Sequence, residues 1–226
     1  MSEAAVRAFA TKILGPATKL APVILLGSWL FALRHFILHP GVGSGTLLVS
    51  AVYLLPVASY RLIEPLFPIH TGASRLGRNR PLNGWAVAHR FQILFSVFES
   101  LERILRVVPG AYSAWLRLWG SRIGKRVYWT PHTLIGDRTH LNIGNDVFIG
   151  NASYLSPHIV KKTRDGFLLL LKPIVIEDQV FVGTHCVLGP GTLLKKGFEL
   201  PAYHMTINGK FKKQEIVDVE EITESA

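Results

Sequence analysis

An aliphatic residue recurs every six positions between residues 123 and 200, often followed by glycine or a small acid, with a small or β-branched residue at the fifth place. A hexapeptide period is typical of a parallel β-helix, in which three units form one coil and the aliphatic side chains stack inward. We expect glycine to let the backbone turn at each corner. The pattern predicts a β-helix over residues 121–200. Its seven units fall in three in-phase blocks, which begin at Ile123 and Ile135, at Ile143 and Ile149, and at Ile176, Val182 and Leu188.

The repeat loses its phase twice. Counting in sixes from Ile123 reaches Trp129, where an aliphatic residue is usual, and two extra residues then enter near His140, which we place at a corner. The larger break covers residues 158–173 and is too long for one side of a coil. We expect residues 159–173 to project as a loop, and long loops on a rigid scaffold often carry function.

Two long apolar segments precede the repeat, at residues 20–38 and 46–69, and a turn rich in Gly and Pro separates them. Each approaches the roughly 20 residues needed to cross a bilayer, and the mean hydropathy of the chain is high, at +0.29. We predict a membrane hairpin within residues 1–70; the alternative is a soluble helical hairpin buried in an oligomer. The flanking bases place both ends of the hairpin in the cytoplasm. They are Lys12, Lys19, Arg75, Arg78 and Arg80.

Residues 71–120 are predicted to join the hairpin to the β-helix. Residues 71–83 form a basic, glycine-containing linker, and residues 85–108 read as one amphipathic helix. Its polar positions are Arg90, Gln92, Ser96, Glu99, Arg103 and Arg106. Interleaved Trp and Arg favour a segment that lies in the membrane interface. Packing of this helix against the β-helix is the alternative.

The net charge of +10 is uneven, because the tail from Gln214 onward holds five acids and no base. The bases flank apolar segments, and the aromatic residues lie in apolar runs, which favours anionic lipid and a phosphate-bearing cofactor over nucleic acid. The single cysteine, Cys186, excludes an internal disulfide and is expected to be buried. The histidines do not share ligand spacing with a carboxylate, so no metal site is predicted.

Residues 142–190 resemble the hexapeptide-repeat acyltransferases, nearest to the colanic-acid-type O-acetyltransferases and the galactoside, maltose and xenobiotic acetyltransferase group. The similar pieces are Ser153-Tyr154-Leu155 followed by His158, the Lys172–Asp178 segment, and a Gly-Pro-Gly coil at Gly189–Gly191. The resemblance implies a left-handed parallel β-helix that assembles as a homotrimer, with His158 as the catalytic base. The predicted fold class is therefore α-helices, transmembrane and amphipathic, followed by an all-β left-handed parallel β-helix.

A neutral imidazole suits acyl transfer, because it can take the acceptor's proton near neutral pH. Four competing histidines in and directly after the repeat are expected to be structural or to face solvent: His132, His140, His185 and His204. Asn142, Asp146 and Asp165 are open candidates for orienting the imidazole.

The resemblance also implies that the site lies between subunits, with an acyl-CoA bound as co-substrate and no permanently bound cofactor. The cofactor-binding candidates are Gly183, Thr184, Gly189, Lys195, Lys196 and Lys210, with Lys212 and Lys213 nearby. Residues 201–226 form the tail, where Gly209-Lys210 replaces the Asn-Pro of relatives. That departure leaves the donor open between acetyl-CoA, a longer acyl-CoA and acyl carrier protein.

These features together predict an acyltransferase anchored in the inner (cytoplasmic) membrane with its catalytic domain on the cytoplasmic side. It would transfer an acyl group, most simply acetyl, to a hydroxyl or amine of a membrane-borne acceptor such as a lipid-linked sugar. One alternative is a lipid acyltransferase that uses a long-chain acyl-CoA or acyl carrier protein. Another is a non-catalytic trimeric membrane scaffold.

Overall fold

The computed structural model describes residues 14–77, 82–164 and 166–213. Lys12, Arg78, Arg80, Asp165 and the acidic tail from Gln214 lie outside these ranges. The fold is mixed, with helices in the amino-terminal half and short strands in the carboxy-terminal half.

Two long helices, α1 (Leu14–Leu38) and α2 (Val42–Leu66), are apolar and long enough to cross a membrane. Only 22% of the most apolar window of each helix is buried against the rest of the chain. A π-helical turn at Ser50–Leu54 interrupts α2. The α-helical parts are Ala21–Leu38, Val42–Val49 and Leu55–Ile63.

Three shorter helices follow: α3 (Gly84–Val97), α4 (Glu99–Val107) and α5 (Ala111–Leu118). The prediction of one continuous helix over residues 85–108 is wrong, because the chain leaves the helical conformation at Phe98 (φ −109°, ψ 65°). The break lets α4 change direction, and Glu102, only 4% exposed, bonds to a side chain of the strand region. The Asn83 side chain caps α3 by accepting the N–H of Trp85 at 2.9 Å.

Short strands between residues 122 and 207 belong in turn to the first, second and third of three sheets. Along the chain, two strands that pair in parallel within one sheet are separated by one strand from each of the other two sheets. The first sheet contains β2 (Arg122–Ile123), β5 (Leu141–Ile143), β10 (Ile174–Ile176) and β13 (Leu193–Leu194). The second contains β3 (Tyr128–Trp129), β6 (Phe148–Ile149), β11 (Phe181–Val182) and β14 (Glu199–Leu200). The third contains β4 (Leu134–Ile135), β7 (Tyr154–Leu155), β12 (Val187–Leu188) and β15 (His204–Ile207), with β16 (Lys210–Lys213) antiparallel at its edge.

The first residues of the predicted hexapeptides are buried and stack on one another from coil to coil. In the first sheet Ile123 pairs with Ile143, which pairs with Ile176. Trp129 belongs to the same pattern, since it pairs with Ile149 and its Nε1 donates to Ser113 Oγ at 2.9 Å. The inward phase of the repeat is confirmed. Cys186 is buried, as expected.

The glycines have a different role from the predicted one. The left-handed backbone at the corners belongs to the fourth residue of several units, including Arg126 (φ 55°) and Gln179 (φ 60°), rather than to the second-place glycine. A Cβ on Gly150 would lie 2.4 Å from the carbonyl carbon of Gly183, and a Cβ on Gly183 would lie 2.4 Å from the backbone N of Ala202. Glycine is therefore required because neighbouring coils approach closely.

The segment predicted as a projecting loop is an antiparallel hairpin of β8 (His158–Thr163) and β9 (Gly166–Leu171). The linker at residues 71–83 also differs from its prediction. Part of it forms a strand, β1 (Gly72–Leu76), and every residue of β1 pairs antiparallel with a residue of β9. A run of leucines and β-branched residues favours strands here. In this three-stranded sheet Gly72 pairs with Leu171, which pairs with His158.

Candidate active site

His158 begins β8 at the base of the hairpin, where its ring Nδ1 is hydrogen-bonded to Oδ2 of Asp137. The Asp137 side chain is 1% exposed and the His158 side chain 17% exposed. A molecule in solution can therefore reach the imidazole but not the carboxylate behind it.

Asp137 is held on both oxygens. Its Oδ1 accepts the indole N–H of Trp85, at 3.0 Å, from the first turn of α3. A carboxylate that accepts on both oxygens requires Nδ1 of His158 to be the donor, which leaves Nε2 without its proton in the neutral ring. The pair thus fixes the tautomer in which Nε2 is the base.

Within the described residues, the carboxylate that contacts His158 is that of Asp137, which the sequence did not select. Asp146 instead forms a two-point ion pair with Arg126, at 2.5 and 2.7 Å. Asn142 lies in β5 of the first sheet, and Asp165 lies outside the described residues. The sequence did not lead to Asp137, although the offset between paired strands of the repeat indicates its position near His158. Ile135 pairs with Leu155, so the same offset brings Asp137 beside the residue before His158.

Aromatic rings surround the imidazole. The Trp85 ring lies 4.8 Å from that of His158, and the His89 ring lies 6.3 Å away. Burial lowers the pKa of His89, the Asp137 carboxylate opposes this effect, and His158 and Arg138 reinforce it. His89 is therefore neutral at pH 7 and adds no charge beside the catalytic candidate.

A cavity of about 370 Å³, here called the histidine pocket, opens in front of His158. The helices α3 and α4 of the same chain form one wall, and the third sheet forms the other. Its lining residues are His89, Phe95, Ser96, Glu99, Glu102, Arg103, Arg106, Thr133, Leu134, Ile135, Gly136, Arg138, Tyr154 and His158. Its volume falls in the range of small-molecule sites, about 300–1,000 Å³.

A buried ion network joins the helical wall of this pocket to the strand wall. Arg138 Nε donates to Glu102 Oε1 at 2.5 Å, and the hydroxyl of Tyr112 donates to Oε2 of the same carboxylate at 2.5 Å. Arg106 contacts Oε2 at 3.4 Å and lies over the Tyr112 ring. Burial, reinforced by the Glu102 carboxylate, raises the pKa of Tyr112, which therefore stays protonated as a donor. Sequence reasoning did not select Arg138 or Glu102.

The predicted cofactor glycines use their amides inside the coil. Gly183 N–H donates to Leu200 O and Gly189 N–H to Thr206 O, at 2.8 and 2.7 Å. The Thr184 hydroxyl donates to Asn151 O at 2.7 Å. A cofactor contact at Gly183 and Gly189 must therefore use atoms other than these N–H groups. Their role in binding stays a prediction.

The predicted phosphate-binding lysines lie in two places. Lys195 Nζ donates to Glu177 at 2.9 Å, as does the backbone N–H of Lys196, and Lys210 begins β16. The hydrogen bond from Lys195, followed by that from Lys196, lowers the pKa of Glu177. Cofactor binding by these lysines also stays a prediction.

The remaining histidines have local surroundings. The ring of His185 stacks on Tyr203 at 5.0 Å, and Nδ1 of His204 lies 3.0 Å from Ala202 O. His132 is exposed, whereas His140 is partly buried with Nδ1 bonded to Thr139 Oγ1 at 2.6 Å. Within residues 14–77, 82–164 and 166–213, no group of three or more His, Cys, Asp or Glu is placed to hold a metal ion.

No protein-family model matches the sequence, and no curated protein matches it. Among solved structures, a hexapeptide-repeat-containing acetyltransferase from Vibrio cholerae, complexed with acetyl coenzyme A, is 16% identical over 57% of this chain and 89% of its own, with a TM-score of 0.38. An N-acyltransferase from Bacillus cereus in complex with dTDP and coenzyme A is 10% identical over 46% of this chain and 65% of its own, with a TM-score of 0.26.

A serine acetyltransferase from Entamoeba histolytica, in complex with cysteine, is 9% identical over 81% of this chain and 68% of its own, with a TM-score of 0.21. All three neighbours are acyltransferases. At TM-scores below 0.5 the resemblance does not define the activity of this chain, which must be inferred from the site.

Proposed function

We propose that the chain is a membrane-anchored acyltransferase that moves an acyl group, most simply acetyl, from a coenzyme A thioester to a hydroxyl or amine of a membrane-associated acceptor. The observation that carries this proposal is the Asp137–His158 pair at the histidine pocket. A buried carboxylate behind a reachable imidazole suits general-base catalysis, because it orients the ring and stabilises the imidazolium that forms.

In the proposed reaction, Nε2 of His158 removes the proton of the acceptor as the acceptor's oxygen or nitrogen attacks the thioester carbonyl. The tetrahedral intermediate collapses when its carbon–sulfur bond breaks, and the electron pair leaves on sulfur. His158 then gives the proton to sulfur, which yields free coenzyme A and the ester or amide. Asp137 stabilises the imidazolium while it carries that proton.

For the assembly of the chain and the binding of the acyl donor, we propose what the sequence predicts. The parallel sheets form a left-handed β-helix that assembles as a homotrimer, and acyl-CoA lies along the coil at Gly183, Thr184 and Gly189. Lys195, Lys196 and Lys210 bind its phosphates, since cations are needed there. In the proposed division of the chain into segments, residues 1–70 form the membrane anchor, residues 71–120 cover the active site and residues 121–200 carry the catalytic chemistry.

We further propose that α1 and α2 cross the membrane as a hairpin, with the strand region on the cytoplasmic side. The exposed apolar surface of α1 supports this, because Val23, Phe31 and Ile37 are 69%, 65% and 67% exposed. A continuous apolar surface of this kind is unfavourable in water and favourable in lipid. Release of the chain from membranes by a carbonate wash alone would contradict it.

The proposed activity is tested with the purified full chain in phosphatidylcholine nanodiscs, supplied with acetyl-CoA and membrane extract. The free thiol is measured over time. We expect His158→Ala to lower the rate by about 10²–10⁴-fold, and the exposed His132→Ala to leave it unchanged. Full activity of His158→Ala would contradict the proposed base. A wild-type chain that consumes no thioester would favour the non-catalytic scaffold.

The acceptor and the acyl length are identified in the same system. A mixture of acyl-CoA thioesters from acetyl to palmitoyl is supplied, and the acylated lipids are analysed by mass spectrometry. We expect acetylated or short-acylated products. Products that carry only long chains would favour the long-chain lipid acyltransferase.

A further inference from the structure

A second cavity, here called the apolar groove, has a volume of about 540 Å³ and lies between the two long helices and the start of α4. Leu26, Trp29, Leu30 and Leu33 of α1 form one side, and Leu48 and Val52 of α2 another. The third side comes from residues 97–101 and Arg103. The proposed membrane hairpin thus supplies two of the three walls of this groove.

The apolar groove and the histidine pocket share two wall residues, Glu99 and Arg103. These side chains form an ion pair at 3.0 Å, and they are 42% and 41% exposed. Exposed pairs of this kind rearrange at little cost. The two cavities therefore adjoin at one charged wall, with the leucines on one side and His158 on the other.

Among the described residues that line the histidine pocket, three arginines outnumber two carboxylates. The arginines are Arg103, Arg106 and Arg138, and the carboxylates are Glu99 and Glu102. Arg106 is 5% exposed, and its Nε has no hydrogen-bond partner among the described residues. The third carboxylate nearby, Asp137, lies behind His158 and is bonded to it. Arginine forks of this type bind phosphate and carboxylate oxygens.

We propose that the acyl acceptor is a lipid with an anionic head, bound with its hydrocarbon tail in the apolar groove and its head in the histidine pocket. This inference rests on the proposed function and names its substrate class. The anionic group lies between Arg103 of the shared wall and Arg106 of the histidine pocket, and the hydroxyl or amine that is acylated lies beyond it, at Nε2 of His158. The helices that anchor the chain thus also bind its substrate.

The order of apolar and charged walls along the two cavities indicates that the apolar groove holds the tail of the acceptor rather than the acyl chain of the donor. From the groove to His158 the wall changes from apolar, at Leu33 and Leu101, to charged, at Glu99 and Arg103. The hydrocarbon of an acyl-CoA begins directly at the carbonyl that reacts at His158, so its first methylenes would lie against the charged residues. A lipid acceptor has its polar part between the tail and the reactive group, in the same order as the walls.

The binding test uses a hexadecyl phosphate with a diazirine in the middle of its tail, photolysed with the full chain in phosphatidylcholine nanodiscs. We expect the label on peptides that contain residues 26–33 and 97–101. The matched variants are Leu33→Trp, which fills the groove, and Leu47→Trp, which does not line it; both leucines are 43% exposed. Leu33→Trp should lower this labelling about tenfold, since it displaces several methylenes, and Leu47→Trp should not. Equal labelling of all three proteins would overturn the proposal.

The kinetic test compares two acceptors with the same sugar phosphate head, one with a decyl tail and one without a tail. The ratio of their kcat/KM values should fall about tenfold in Leu33→Trp and stay unchanged in Leu47→Trp. If Leu33→Trp instead raises KM for palmitoyl-CoA and leaves this ratio unchanged, the groove binds the donor chain and the proposal is wrong. If wild-type protein consumes no thioester, the proposed function fails, whereas the labelling result still decides whether the groove binds an anionic lipid.

Discussion

Asp137 and His158 are hydrogen-bonded although they are 21 positions apart, because each closely follows one of two paired parallel strands, β4 and β7. Ile135 pairs with Leu155 in the third sheet, and this register sets the two side chains beside each other. The corner between β4 and β5 carries Asp137 and Arg138. One corner of the repeat thus supplies both the residue that orients His158 and the cation buried in the pocket wall.

Asp137→Asn should abolish most activity while the fold is kept. The amide oxygen can still accept from Trp85, but the amide N–H donates to Nδ1 of His158 and stabilises the tautomer in which Nε2 carries the proton. We expect kcat to fall by about 10²–10⁴-fold, measured as thiol release from acetyl-CoA. The control is Asp146→Asn, which breaks only the exposed pair with Arg126. Similar rates for both variants would refute the assigned role of Asp137.

Glu102→Gln should destabilise the chain strongly. The carboxylate is 5% exposed and bonds Arg138, Arg106 and Tyr112, so its loss leaves a buried arginine without an anion. The free energy of unfolding should fall by about 3–5 kcal/mol, measured by denaturant titration in mixed micelles. Glu99→Gln, in an exposed pair, should change it by about 0–1 kcal/mol. Equal effects of the two variants would show that the buried network is not a major stabilising element.

Gly150→Ala should destabilise the repeat although the residue does not have a positive φ. Its Cβ would lie 2.4 Å from both the carbonyl carbon and the oxygen of Gly183, which forces adjacent coils apart. We expect a loss of about 1–3 kcal/mol or more, seen as a lower unfolding temperature. The control is Gly43→Ala in α2, where no atom lies within 4 Å of the new Cβ. A stable Gly150→Ala chain would mean that the coils adjust more easily than their spacing indicates.

Stability should fall as the pH drops below about 6.5, the usual pKa of histidine. Burial lowers the pKa of His140, so below this pH the unfolded chain takes up a proton that the folded chain does not. Each such group contributes at most about 1.4 kcal/mol per pH unit. His140→Gln should therefore flatten the decline of the unfolding temperature between pH 7 and pH 5, whereas the exposed His132→Gln should not. An unchanged slope in His140→Gln would contradict this assignment.

The sequence predicts the positions that the repeat buries, because a six-residue period depends only on local alternation and on the stacking of Ile123, Ile143 and Ile176. It also predicts the two long apolar helices and the break at which His158 lies. The close approach between coils, which requires Gly150, depends on distances between segments far apart in the chain and was mistaken for a turn requirement.

The surroundings of His158 are the part that sequence did not predict. Helix α3 packs Trp85 and His89 against the strands, and the chain turns at Phe98 to bring Glu102 to Arg138. A pattern of polar positions on a helix does not show which other element that face meets. The hairpin of β8 and β9 was likewise not predicted, since its pairing with β1 joins residues 91 to 99 positions apart.

The pairing of Gly72 with Leu171, and of Leu171 with His158, limits how far the reaction can take place from the bilayer. Two strand spacings separate the backbones of Gly72 and His158, which is about 10 Å. Five residues, 67–71, lie between the end of α2 and Gly72, and the six steps along this segment span at most about 20 Å. His158 therefore stays within about 30 Å of the end of α2, which is the distance from the bilayer that the proposed membrane anchor allows. An acceptor whose reactive group stands further from the membrane surface, such as one at the tip of a long glycan, would be out of reach, so the anchor sets an upper limit on head-group length.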